Sequence, residues 1–230
     1  MFTERAERIV DALLESRPEL ASGAGDHRYD DRLPDWSADT VAADRRMLTE
    51  AAHALAEVDG DSLPVEESVD HALLTALVDR ELFESTEIRA HEWDPLRHNP
   101  GLLLHAVLSR PYAPVEVRLT HLAGRLSAVP DALATARATL RDMPRIHAET
   151  AVGQFTGTAA LVRQEVPALL AQAPRSAAGW SRRRGRRWPR WRSSRTGCGP
   201  GWPPTTDRAR IPGSAAAGGR PGSGTPWTPS

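Results

Sequence analysis

The sequence predicts an all-α fold, and three observations carry that prediction. Apolar residues recur every three or four positions through residues 1–174. No segment of useful length alternates apolar and polar residues as a half-buried strand would. Pro and Asp-Gly breaks punctuate the periodic runs. The expected architecture is an incomplete multi-helix domain of about seven helices, followed by a disordered tail rich in Arg, Gly, Pro and Trp.

Phe2, Ala6, Ile9, Val10, Leu13 and Leu14 share one face of a first helix that ends near Pro18. A polar loop, Ala21 to Trp36, follows. Ser37 is a suitable N-cap for a second helix bearing Val41, Leu48, Ala51, Leu55 and Val58, and Asp59-Gly60 breaks it. A third helix, Pro64 to Ala90, carries Val69, Leu73, Leu74, Leu77, Val78, Leu82 and Phe83. That wide apolar surface predicts a central position. His91 to Pro100 reads as a loop broken at both prolines. Leu102, Leu103, Leu104, Val107 and Leu108 make a short apolar helix that stops before Pro111. Val115, Leu119, Leu122 and Leu126 mark the next, and Leu133, Ala136 and Leu140 another that opens near Pro130. Val152, Phe155, Ala159, Val162, Val166 and Leu169 complete the series.

The net charge of −1 hides a division near Arg175. Residues 1–174 hold 17 Arg against 29 Asp and Glu, a net of −12. Residues 175–230 hold 12 Arg against Asp207 alone, a net of +11. This second stretch lacks Leu, Val, Phe and Glu, yet holds 10 of the 17 Gly, 8 of the 19 Pro and 5 of the 7 Trp. Such a composition buries too little apolar surface to offset chain entropy, so disorder is expected. Its tryptophans do not suit that role. A frameshift explains both. Back-translating Trp188 to Thr206 with GC-rich codons and reading the neighbouring frame restores Leu or Phe at Trp191, Ser194, Cys198 and Trp202, a helical spacing, among acidic residues. GC-rich codons are apt, because all 29 basic residues are Arg and none is Lys. The division expected is therefore 1–174, helical, and 175–230, a frameshifted tail.

Cys198 is the single cysteine, which excludes a disulfide framework and a thiolate cluster. No run approaches the ~20 apolar residues of a membrane span, and the charged start, Met1 to Arg8, has no apolar signal-peptide core behind it. A cytoplasmic location is expected, with no membrane partner.

Few residues of the body suggest chemistry. His91-Glu92-Trp93-Asp94-Pro95 begins like a zincin motif, but Pro95 stands where the second imidazole would face the metal. His98 lies beyond that break. His27, Arg28 and Tyr29 sit in a dense polar cluster, Gly25 to Asp31, where they would orient a substrate carboxylate or tie down an Asp/Gly-rich turn. His53, His71, His105 and His121 stand singly on helices, the pattern of solvent-facing or hydrogen-bonded imidazoles. His147 and Glu149 follow a break at Pro144. In the tail, Trp180 to Trp188 with Trp191 would place Arg on phosphates and Trp on bases, though arginine runs of this kind are common and unspecific.

Longer runs carry a resemblance. Leu14 to Glu19, Gly25 to Asp35, His91 to Leu96 with Asn99-Pro100-Gly101, and Asp142 to Ala151 resemble, in order, the start of the bacterial family called domain of unknown function 885. The resemblance covers about residues 5–172. It implies a much longer, mostly helical protein that looks like a zinc metallopeptidase of the gluzincin type, with its His-Glu metal motif in the carboxy-terminal half. No catalytic residue or metal ligand is carried onto this chain. Zinc and a peptide substrate are expected for the intact parent, and the chain alone is expected to be inert. By the same analogy the amino-terminal helices wall a substrate channel, with His27, Arg28, Tyr29, His91 and Asn99 as its candidate lining. The alternative expectation is a helical interaction module whose basic tail binds nucleic acid or an acidic partner. Apolar faces left uncovered, such as Leu102 to Leu108, would make the fragment poorly soluble or a chaperone client.

Overall fold

The computed structural model describes residues 1–174, which are all-α. Seven α-helices longer than one turn and one single-turn helix follow in order: α1 Phe2–Ser16, α2 Pro18–Ala24, α3 Ala38–Ala56, α4 Val65–Phe83, α5 Ala90–Trp93, α6 Gly101–Ser109, α7 Val115–Thr139 and α8 Arg145–Ala171. Tight 3₁₀ turns occupy His27–Tyr29, Gly60–Ser62 and Pro95–His98. The tail expected to be disordered and out of frame lies outside the described residues.

The boundaries follow from local chemistry. Ser37 accepts from the Thr40 amide and caps α3. Asp59 and Asp94 cap their 3₁₀ turns through the Asp61 and Leu96 amides. Gly25 ends α2 at φ 81°, a left-handed position that costs glycine nothing. At the end of α6, Arg118 donates Nε to the Val107 carbonyl at 3.0 Å and Nη2 to Leu108, satisfying carbonyls that the helix leaves open.

Four elements differ from the sequence reading. The helix expected to be central is not: of α4 only Leu74 and Val78 are buried, while Val69, Leu73 and Phe83 are exposed. The loop expected from Ala21 begins as α2, because Pro18 can open a helix at its first position and Ala21 is fully buried there. The stretch from His91 to Pro100 is not open loop but α5 plus a 3₁₀ turn. The two helices expected on either side of Pro130 are one, α7. Proline inside a helix costs about 3 kcal/mol; here Leu119, Leu122, Val129 and Ala136, spaced along both sides of it, are buried and hold the axis continuous.

Two apolar clusters form the core. Phe2, Ile9 and Leu13 of α1 meet Leu48, Ala51 and Leu55 of α3 and Leu74 and Val78 of α4. Leu104 and Val107 of α6 meet Leu119 and Leu122 of α7 and Val166 and Leu169 of α8. Within the run Leu102 to Leu108, expected to be an uncovered face, Leu103, Leu104 and Val107 are buried, and of its apolar side chains only Leu102 is widely exposed. The reason is that α6 packs between α7 and α8.

The helices α2 and α5 lie between the clusters, and the joint is polar. Arg17, buried, donates Nε to Glu81 and Nη1 to Asp44, both at 3.0 Å, and so ties the start of α2 to α3 and α4. Arg125 of α7 reaches across to the segment after α2. No helix among the described residues is long and apolar enough to cross a membrane.

Candidate functional site

An open cleft of about 470 Å³ runs along this joint. Its walls come from α2 (Glu19, Leu20), the segment before α3 (Trp36), α3 (Val41, Asp44), α4 (Arg80, Glu81) and the α5 region (Ala90, His91, Arg97). A second lobe of about 320 Å³ shares Glu19, Trp36, Arg97 and Leu102 with the first, and continues past His98 and Asn99 to Thr135 and Gln154.

The electrostatics of the first lobe are those of nearly balanced charges. Arg17 bonds Asp44 and Glu81, Arg80 bonds Glu81 Oε1 at 2.7 Å, and Arg97 bonds Glu84 Oε2 at 3.0 Å. Burial pushes the Asp44 carboxyl up from its ordinary value, with Arg17 opposing. Glu19 differs from the other carboxylates, because its Oε2 is buried without a hydrogen-bond partner. Burial pushes its pKa up as well, against its own backbone amide and the Arg17 charge.

His91 lines the cleft with its ring stacked on Trp36, centroids 5.8 Å apart. It is buried, and burial pulls its pKa down. His98 Nε2 bonds the His91 carbonyl at 2.8 Å, and its pKa is also drawn down by burial. Asn99 borders the second lobe, but its Oδ1 accepts from the Gly101 amide and Thr158 Oγ1, each at 2.9 Å. It holds the turn that enters α6 and ties it to α8.

The other three channel candidates face elsewhere. His27, Arg28 and Tyr29 form a 3₁₀ turn that borders neither lobe. Arg28 pairs with Asp26 and Asp11, and its guanidinium lies over the Tyr29 ring. His27 Nδ1 lies 2.7 Å from Asp30 Oδ2, and its ring stacks on Tyr112 at 4.0 Å. Asp30 is the hub of this cluster. Burial raises its pKa, but bonds from Ser22 and His27 and the Arg125 charge outweigh that and hold it below the usual carboxylate range. The imidazole of His121 closes the group by bonding Tyr112 Oη at 3.0 Å.

His147 and Glu149 do not act as a pair. His147 Nδ1 lies 2.9 Å from Asp94 Oδ1, while Glu149 bonds Arg145 Nε at 2.7 Å. His71 bonds the Leu55 carbonyl, and His105 bonds Ser109. Nε2 of His98 is spent on the His91 carbonyl and Nδ1 of His147 on Asp94, and no three His, Cys, Asp or Glu side chains among the described residues are grouped as metal ligands.

Arg17, Glu19, Trp36, Asp44 and Glu81 were not among the candidate site residues of the sequence. Arg17 and Pro18 read as a helix end, and only the fold brings Asp44 and Glu81 to that arginine.

Among known proteins, the family described as "Bacterial protein of unknown function (DUF885)" matches residues 18–193. No curated protein matches. One solved structure, described as "a putative lipoprotein of unknown function from Shewanella oneidensis", is similar in fold with a TM-score of 0.65 at 19% identity. The match covers 81% of this chain and 39% of that one, so this chain spans about two fifths of that protein's length.

Proposed function

The chain belongs to the DUF885 family of bacterial proteins, and we propose that its helical body is the amino-terminal wall of the substrate channel of a longer, zinc-peptidase-like protein. On this reading the chain is inert alone, because zinc and the glutamate that would activate its water lie in sequence that the frame after Arg175 no longer encodes.

The observation that carries the reading is the cleft. It is open, lined by paired charges and the Trp36 ring, and placed at the joint of two packed units. Clefts at such joints are common ligand sites. The charge reversal at Arg175 and the helical spacing of the shifted frame support the loss of downstream sequence.

The test is to sequence the locus and express both the chain as it stands and a version with the frame restored. The restored protein is expected to bind zinc and to cleave peptides, with activity removed by a chelator, while the present chain cleaves none. If no single-base change near codons 170–185 opens a long frame, or if the restored protein holds no metal, the reading fails. The +11 charge of residues 175–230 favours one other reading, a module that binds nucleic acid. Salt-dependent binding of the purified chain to RNA or DNA, with every downstream frame closed, would support it instead.

A further inference from the structure

We propose that the cleft binds the cationic group of a peptide, with the Glu19 carboxylate as counter-ion and the Trp36 ring as its floor. The inference deepens the channel reading above and rests on it. Charge accounting within the first lobe leads to Glu19. Its arginines are committed: Arg17 to Asp44 and Glu81, Arg80 to Glu81, Arg97 to Glu84. Asp44, Glu81 and Glu84 are thereby neutralised. Glu19 remains, with Oε2 shielded from water and bonded to nothing in the chain.

An unpaired buried acceptor is costly to a fold, and a charged one more so. The Glu19 carboxyl meets its own backbone amide in the first turn of α2 and feels the Arg17 and Arg97 charges, but the fold draws no bond from Oε2. A ligand cation would supply what is lacking. The last torsion of a glutamate is broad, and a turn about it brings Oε2 toward the space that Glu19 lines on both lobes. Trp36 borders the same two lobes and offers a ring face to a cation. Leu20 and Leu102 border the first lobe as well and suit the methylene stem of a basic side chain.

The chemistry is shared by two sources, a basic side chain and a peptide amino terminus, and titration calorimetry on the full chain separates them. Nα-acetyl-arginine amide offers only the guanidinium, glycinamide only the terminal ammonium, and Nα-acetyl-citrulline amide the same shape as the first without charge. One of the two cations is expected to bind at least about tenfold more tightly than the citrulline compound, and Glu19→Gln to lose about the same factor. Tight binding of the arginine compound assigns the site to a basic side chain; tight binding of glycinamide assigns it to an amino terminus. Trp36→Leu is expected to weaken the same ligand by severalfold. The proposal is overturned if neither cation binds the wild-type chain, if citrulline binds equally, or if a folded Glu19→Gln chain retains full affinity. The citrulline comparison needs no variant, so a folding defect does not shelter the idea. Because no hydrolysis is measured, failure here leaves the frame-restoration test of the channel reading intact.

Discussion

Asp30 and Arg125, 95 residues apart, meet through Oδ1 and Nη2 at 3.0 Å with both side chains almost wholly shielded from water. Arg125 is the largest fully buried side chain, and each of its nitrogens is used. Nε donates to the Arg32 carbonyl at 3.1 Å, Nη1 to the Leu103 carbonyl at 2.6 Å, and Nη2 also to Ser22 Oγ at 2.9 Å. Burial draws its pKa down, with Asp30 opposing, but a guanidinium stays charged in proteins. Such a pair adds little over a well-packed apolar pair, whereas removing one partner strands the other. Asp30→Ala or Arg125→Met alone is therefore expected to cost about 3–5 kcal/mol in urea denaturation. The double variant should cost less than the sum, and additive losses would refute the coupling.

Gly124, the residue before Arg125, lets α7 approach the chain at Asp31. A Cβ there would lie 2.7 Å from the Asp31 carbonyl oxygen and 2.8 Å from its Cβ. The obstacle is backbone, which cannot swing aside. Gly124→Ala should destabilise by about 1–3 kcal/mol, although alanine is the better helix former. A thermal melt equal to wild type would show that the contact is looser than the structure has it.

Glu19→Gln is expected to raise stability at neutral pH. Burial raises the folded pKa of Glu19 above its ordinary value of 4.5. A carboxyl so raised stabilises the fold only when protonated, below its unfolded value, and that contribution is lost as pH rises through the folded value. The advantage of the amide should thus be greatest above the folded pKa and shrink as pH falls through it toward 4.5. Denaturation midpoints measured from pH 4 to 8 test this; an advantage independent of pH would exclude the ionisation as its cause.

His91 and His98 predict acid sensitivity in a different window. Burial depresses both below their ordinary value of 6.5. The unfolded chain then binds protons that the folded chain resists, so stability is complete above about pH 6.5 and falls as pH drops from there toward the folded values. His98→Gln, which can still donate to the His91 carbonyl, should flatten the pH dependence between 5 and 7. An unchanged slope would assign it to other groups.

How much of this was legible beforehand depended on the range of each interaction. The spacing of Leu48, Ala51 and Leu55, or of Val162, Val166 and Leu169, is local information, and it located α3 and α8 directly. Pro130 misled because its cost is local while the burial of Leu122, Val129 and Ala136 that outweighs it is tertiary. The candidate site was legible in halves. All five channel candidates stood in family-like runs; His91 and Asn99 border the cleft, whereas His27, Arg28 and Tyr29 lie in the turn around Asp30 and border neither lobe. Glu19, quoted only as the end of a family-like run, and Asp44 gave no sign of a site, since an acid in an acidic chain looks like solvent-facing surface. Only the fold shows that one is stranded and the other paired.

The polar joint between the two apolar clusters also bears on how the molecule opens. Hydrophobic contact within each cluster is insensitive to ionic strength, whereas the tie from Arg125 of α7 to Asp30, beside α2, is charged. Native-state hydrogen exchange should therefore resolve two foldons, α1–α3–α4 and α6–α7–α8, whose amides protect with separate free energies. Acid below the Asp30 pKa should uncouple them before either unfolds.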